Sequence, residues 1–143
     1  MLDRSTFRDM TQLRYLDISS NLLRFLSPVI FRDMINLHVL RIQGNRVATT
    51  PEGLLANLRN LEELELSDYR LTSISSDTFN SLVDLTSLNL AGNRIASSSI
   101  LPFICQLRNL IKLNISRNDI FALSSNALRE CRQLVAFDMS HTL

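Results

Sequence analysis

The chain has 143 residues, of which 45% are hydrophobic and 20% charged, and its formal net charge is +1. This balance argues against a domain that works mainly through a polycationic surface, so nucleic acid is not an expected partner. The sequence contains no run of about 18 or more apolar residues, and residues 1–6 are too polar to open a secretory signal. No direct membrane contact is therefore expected of this segment.

One phrase, L-x-x-L-x-L-x-x-N-x-I, recurs along the chain with small variations. Its six copies begin at Leu13, Leu37, Leu61, Leu85, Leu110 and Leu134, so the steps are 24, 24, 24, 25 and 24 residues. Alternating leucines place two side chains on one side of a short strand, and the Asn follows where the strand must turn. A fixed period of this size indicates a solenoid in which each coil packs on its neighbours.

Polar columns accompany the leucines. The residue before each phrase is polar in all six copies and an amide in five, which predicts hydrogen bonds to neighbouring backbone. The Asn position of the phrase, which we call the turn column, is also predicted to be structural, since an Asn side chain can donate hydrogen bonds to the backbone and accept them from it. Four copies carry this Asn, namely Asn21, Asn45, Asn93 and Asn118, whereas Tyr69 and Thr142 interrupt the column.

A second apolar set follows each phrase, for example Leu26, Phe31 and Met34 in the first repeat and Phe79 with Leu82 in the third. These residues are predicted to close the coils on the convex side. Residues 1–12 correspond to the back half of a repeat and residues 134–143 to a truncated one. We therefore expect residues 1–143 to form a single repeat array within a longer protein, whose uncapped ends favour self-association.

The 24-residue repeats, with Phe31 and Phe79 on the convex side and L-x-L-S-x-N turns, resemble the leucine-rich repeats of animal extracellular proteins. Toll-like receptor ectodomains, Slit-type proteins and small leucine-rich proteoglycans belong to this class. The resemblance covers the whole chain and implies an α/β solenoid, a horseshoe segment with a parallel concave sheet and an irregular or short-helical convex side.

The resemblance also implies a function. The expected role is a protein-binding, ligand-recognition module of an extracellular receptor or adhesion protein, including the Toll-like innate-immune type, with a protein ligand or co-receptor on the concave face. The alternative is a cytoplasmic scaffold or adaptor built from similar repeats. Two unpaired-looking cysteines and the absence of caps favour that alternative.

The variable residues of each phrase are predicted to face solvent on the concave sheet, where binding would take place. The candidate binding residues are Tyr15, Asp17, Arg41, Glu63, Glu65, Asp68, Tyr69, Lys112 and Asn114. Acidic residues collect in the third repeat beside Arg41, which suits a cationic loop of a partner, although solvated strands carry charges in any case. The Tyr69 ring is predicted to project outward beside these acids, with inward packing as the alternative.

Catalysis is not expected. His38 and His141 are four coils apart, roughly 20 Å at about 4.8 Å per strand, so they cannot share a site. Neither has a second ligand at metal spacing, and no Gly-rich phosphate loop occurs, so no metal and no cofactor are expected.

The two cysteines are predicted to be free thiols. Cys131 falls in the buried column of Met34 and Leu82, whereas Cys105 lies two positions off that column. Two residues along a helical turn rotate a side chain by about 200°, and a disulfide requires converging Cβ vectors. In addition, Asn114-Ile115-Ser116 is the only N-x-S/T sequence, so Asn114 would be a glycosylation site in a secreted protein.

Overall fold

The structure is a computed structural model that describes residues 2–96, 100–123 and 125–142. Within these ranges the chain forms six three-residue strands and one four-residue helix. In chain order they are β1 Tyr15–Asp17, β2 Val39–Arg41, β3 Glu63–Glu65, β4 Ser87–Asn89, α1 Leu101–Ile104, β5 Lys112–Asn114 and β6 Ala136–Asp138. The strands form one parallel sheet in the order β1 to β6, which confirms the predicted leucine-rich solenoid.

The sheet register follows the sequence period. Leu16 pairs with Leu40, Leu40 with Leu64, and Leu64 with Leu88. The 25-residue step leaves the register intact, because Leu88 pairs with Leu113. Each central strand residue therefore points into the solenoid, while its two neighbours point out of the concave face.

The core runs along the inside of the sheet and is closed by the convex segments. Leu40, Leu64 and Leu88 are at most 1% exposed, and Phe31 and Met34 are equally buried on the opposite side. The predicted second apolar set is thus confirmed as the convex wall of the core.

The turn asparagines join neighbouring coils. Asn93 donates from Nδ2 to the Leu66 carbonyl at 2.9 Å and to the Leu90 carbonyl at 2.8 Å, while its Oδ1 accepts the Leu71 N–H at 2.9 Å. Asn45 and Asn118 make equivalent bonds. These side chains are nearly fully buried, so they satisfy backbone groups that would otherwise be orphaned in the turns.

The three asparagines of the amide column before each phrase have the predicted structural role. Asn36, Asn60 and Asn109 donate from Nδ2 to carbonyls of the preceding coil, at 2.9 Å in each case. The bonds run from side chain to backbone and tie successive convex segments together.

The residue before each turn Asn position adopts a left-handed conformation. Its φ lies between 52° and 68° at Ser20, Gly44, Asp68, Gly92, Arg117 and His141. Gly92 has a second reason to be glycine, because a Cβ there would overlap the Asp68 carboxylate. Asp68 reaches across Gly92 toward Arg117, two coils away, with 3.7 Å between carboxylate oxygen and guanidinium nitrogen.

The cysteine prediction is wrong: Cys105 and Cys131 form a disulfide, with their Cα atoms 4.5 Å apart. The prediction treated both convex segments as the same kind of helical turn. In fact Cys105 ends the α-helix α1, where its N–H bonds the Leu101 carbonyl, whereas Cys131 ends a tighter turn closed by its N–H bond to the Leu128 carbonyl. Because the two backbones wind differently, residues from different columns meet. Cys105 is also the more buried of the two.

Candidate functional site

A connected polar network covers the concave face of β1 to β3. Arg41 Nη2 and Nε lie 2.7 and 3.0 Å from Glu63 Oε1, and Arg41 Nη1 donates to the Tyr15 hydroxyl at 3.3 Å. The Tyr15 hydroxyl donates to Asp17 Oδ2 at 3.4 Å. The Arg41 guanidinium carbon also lies 5.6 Å from the centre of the Tyr15 ring. We call Tyr15, Asp17, Arg41 and Glu63 the concave cluster.

Two members of the concave cluster, Asp17 and Arg41, have pKa values shifted in favour of their charged forms. Hydrogen bonds from the Ser19 hydroxyl and N–H lower the pKa of Asp17, with smaller help from Tyr15 and Arg41. The hydrogen bond and charge of Glu63 raise the pKa of Arg41. Tyr15 remains 49% exposed, so an aromatic ring and a fixed guanidinium are both presented to solvent.

The other predicted acids lie at the border of the concave cluster. Glu65 pairs in register with Arg41 and is half-buried, and this burial raises its pKa while a hydrogen bond from Asn89 and the charge of Arg41 oppose the rise. Asp68 lies directly before the turn column and forms the ion pair with Arg117. The acids of the third repeat therefore point to two different places rather than forming one patch.

Lys112 and Asn114 lie on β5, two strands beyond β3, and are not in contact with the concave cluster. Lys112 is exposed. Asn114 Oδ1 accepts the Ser116 N–H at 2.9 Å, and Ser116 is buried. Glycosylation of Asn114 stays a prediction.

The outward projection predicted for Tyr69 is wrong, because the side chain is 0% exposed and its hydroxyl has no partner among the described residues. Burying a tyrosine removes about 150–250 Å² from water, worth roughly 4–6 kcal/mol at 25 cal/mol/Å². An unsatisfied buried hydroxyl costs only about 1–3 kcal/mol. The ring therefore packs inward, burial raises its pKa far above the usual range, and Tyr69 leaves the set of binding candidates.

Not every variable position of the phrase faces solvent as predicted. Ser67, Ala91 and Ser116, two residues beyond their strands, are buried. There the chain already curves into the turn, so its side chains face the neighbouring coils. The accessible concave surface is consequently limited to the strand positions and the residues just before them.

The described residues offer little for chemistry. Within them no group of His, Cys, Asp and Glu side chains could hold a metal ion. His38 Nδ1 lies 2.6 Å from the Asn36 carbonyl, four coils from His141. In the same part of the chain, no helix is long and apolar enough to cross a membrane.

One charged group was not among the predicted site residues. Arg46, Arg70 and Arg94 each follow the turn column directly, on three successive coils, and all three are exposed. Their recurrence at 24-residue intervals could have indicated a basic flank, but the net charge of the chain is near zero and gives no sign of one.

Comparison with known proteins identifies the family. The Leucine rich repeat family model matches residues 1–47 and 35–95, and a second model of the same description matches residues 84–107. The chain belongs to the leucine-rich repeat family, whose members are generally non-enzymatic protein-binding modules. A comparison with curated proteins finds no match.

Several solved structures share the fold. The TLR13–ssRNA13 complex matches with a TM-score of 0.87 and 22% identity over 97% of this chain and 20% of that chain, which shows the fold alone. The Drosophila Toll–Spatzle complex gives 0.85 and 25% over 100% and 19%. A Leptospira interrogans leucine-rich repeat protein gives 0.82 and 27% over 97% and 33%. The chain thus spans a fifth to a third of these proteins, and the likeness supports a protein-interaction repeat module.

Proposed function

We propose that the chain is a ligand-recognition module of an extracellular receptor or adhesion protein, and that it binds a protein through the concave cluster. The observation that carries this proposal is the network of Tyr15, Asp17, Arg41 and Glu63 on three adjacent strands. Tyr and Arg are enriched among residues that dominate binding energies. Here both are held in place before any ligand arrives, which lowers the entropy cost of association.

The chemistry of the concave cluster suggests the kind of partner. Asp17, Glu63 and Glu65 surround a single cation, Arg41, which Glu63 already neutralises. The surface therefore has a net negative charge around an exposed aromatic ring. It complements a partner segment with Lys or Arg side chains and an apolar residue that packs on Tyr15.

The disulfide supports an extracellular location. Disulfides persist in oxidising compartments and are rare in the cytosol, so the Cys105–Cys131 bond weighs against the cytoplasmic scaffold. The Drosophila Toll–Spatzle complex, a receptor repeat array bound to a protein, supports the same proposal. Within this proposal, the more specific role that we propose is that of a Toll-like signalling receptor.

The experiment is a binding screen against an array of secreted proteins and ectodomains, with an array of cytosolic proteins beside it. We expect a partner in the first array, and we expect Tyr15→Ala and Arg41→Ala each to weaken it by about 10-fold or more, as hot-spot residues do. Arg32→Ala and Arg59→Ala, exposed on the segments leading into β2 and β3, are the matched controls. Partners found solely among cytosolic proteins, or equal losses in both pairs of variants, would refute the proposal.

A further inference from the structure

A row of arginines lies on the flank of the solenoid that follows the turn column. Arg46, Arg70 and Arg94 occupy equivalent positions on three successive coils, and Arg24 lies on the preceding coil but two positions further along it, in the column of Ala48 and Thr72. At two of the three positions the backbone bonds the preceding coil: the Arg46 N–H donates to the Leu23 carbonyl at 2.8 Å and the Arg94 N–H to the Leu71 carbonyl at 2.7 Å. Arg70, with a φ of 65°, has a different backbone conformation. We call Arg24, Arg46, Arg70 and Arg94 the arginine flank.

The arginine flank carries four cations on coils one to four, and it ends at coil five, where Asp119 occupies the position equivalent to Arg94. All four side chains are exposed, and none of them forms an ion pair with a described residue, in contrast to Arg41 and Arg117. The nearby Asp68 carboxylate is already engaged by Arg117. Three cations in one column, with Arg24 offset beside them, therefore remain available to an anionic partner.

The side chains next to the arginines indicate which class of anionic partner fits this surface. Ala48, Thr72 and Ala96 lie two positions after Arg46, Arg70 and Arg94, and all three side chains are small. Single-stranded nucleic acid is held by aromatic side chains on which its bases stack. Coils two to four of this flank carry none, and the one exposed aromatic ring beside the four arginines is Phe25 on coil one. A charged chain without bases fits this surface better.

We propose that the arginine flank binds a sulfated polysaccharide. At about 4.8 Å per coil, the row extends over roughly 14 Å and presents one guanidinium per coil to a linear chain. Guanidinium groups bind tetrahedral oxyanions through paired, charge-assisted hydrogen bonds. The proposal rests on the extracellular location proposed above, where such polysaccharides occur, but it does not depend on the concave cluster.

The test measures binding of a fluorescein-labelled heparin hexasaccharide by fluorescence anisotropy at two salt concentrations. The flank variant is Arg46→Gln, Arg70→Gln and Arg94→Gln together. Its matched control, with the same loss of net charge, replaces three exposed arginines on the segments that lead into β2, β3 and β5: Arg32→Gln, Arg59→Gln and Arg108→Gln. We expect the flank variant to bind at least about 10-fold more weakly and to lose most of the salt dependence, and the control to change by less than about 2-fold.

Three results would overturn the proposal: no binding by the wild type, an equal loss in both triple variants, or tighter binding of a single-stranded RNA hexamer than of the heparin fragment. Thermal melting of each variant establishes that it is folded. Tyr15→Ala separates the two proposals, because it should leave heparin binding unchanged while it weakens the protein partner. Failure of one assay therefore does not decide the other.

Discussion

Removal of the Cys105–Cys131 disulfide should destabilise the array by a predictable amount. The bond joins residues 26 positions apart, and in the chain-entropy model a loop of about 26 residues lowers the entropy of the unfolded chain by about 12 cal/mol/K. This corresponds to about 3.5 kcal/mol at 25 °C. For a chain of 143 residues, with about 2.1 cal/mol/K of unfolding entropy per residue, the melting temperature should fall by about 12 °C.

The assay compares urea unfolding of the wild type with that of Cys105→Ser/Cys131→Ser. Wild-type protein treated with a reductant should approach the stability of the double variant, while reductant should leave the variant itself unchanged. Thiol titration of native wild type should find no reactive thiol. Two titratable thiols, or a double variant within about 0.5 kcal/mol of the wild type, would refute the reasoning.

Two further predictions concern buried polar groups. Tyr69→Phe removes a hydroxyl that has no partner among the described residues, so it should raise the unfolding free energy by about 1 kcal/mol; a lower value in urea unfolding would show that the hydroxyl is satisfied. Glu65→Gln should raise the melting temperature at pH 7, because burial penalises the charged carboxylate and raises its pKa. Since the wild type regains this stability as Glu65 binds its proton, the advantage of the variant should shrink as the pH falls toward about 4, and a pH-independent difference would contradict this cause.

The regular part of the molecule was accessible from the sequence because one constraint repeats. Each Leu of the phrase packs into the same core, and each turn Asn bonds the same backbone groups. Equivalent positions in the six copies therefore have the same structural role, and each copy supports the interpretation of the others. The sheet register, the convex wall of Phe31 and Met34, and the roles of the amide columns all follow from that repetition. Arg41 beside the acids of the third repeat was also predictable, since Arg41 and Glu65 are equivalent residues of adjacent coils and Glu63 lies on the same face two positions before Glu65.

The errors occur where one repeat departs from the others. The extra residue of the fourth repeat accompanies α1 in place of a tighter turn, and a column comparison based on regular turns then misplaces Cys105 relative to Cys131. Tyr69 replaces an Asn, and its direction depends on the balance between apolar burial and one hydroxyl. The backbone adapts as well, because Arg70 has a φ of 65°, whereas no positive φ occurs at Arg46 or Arg94. The backbone conformation of an individual turn or convex segment cannot be predicted from the repeat period alone.

The last strand position supports the proposal that binding centres on β1 to β3. In four of the six strands this position holds Asp or Asn, and its side-chain oxygen accepts the N–H two residues later, which fixes the turn. The four are Asp17, Asn89, Asn114 and Asp138. Arg41 and Glu65 occupy the same position in β2 and β3 but make no such bond. Their side chains are thus free of a turn-fixing role, and Arg41 is instead committed to Tyr15 and Glu63. A long charged side chain is not needed to build the coil, so the occurrence of Arg41 and Glu65 on adjacent strands supports the proposed recognition role.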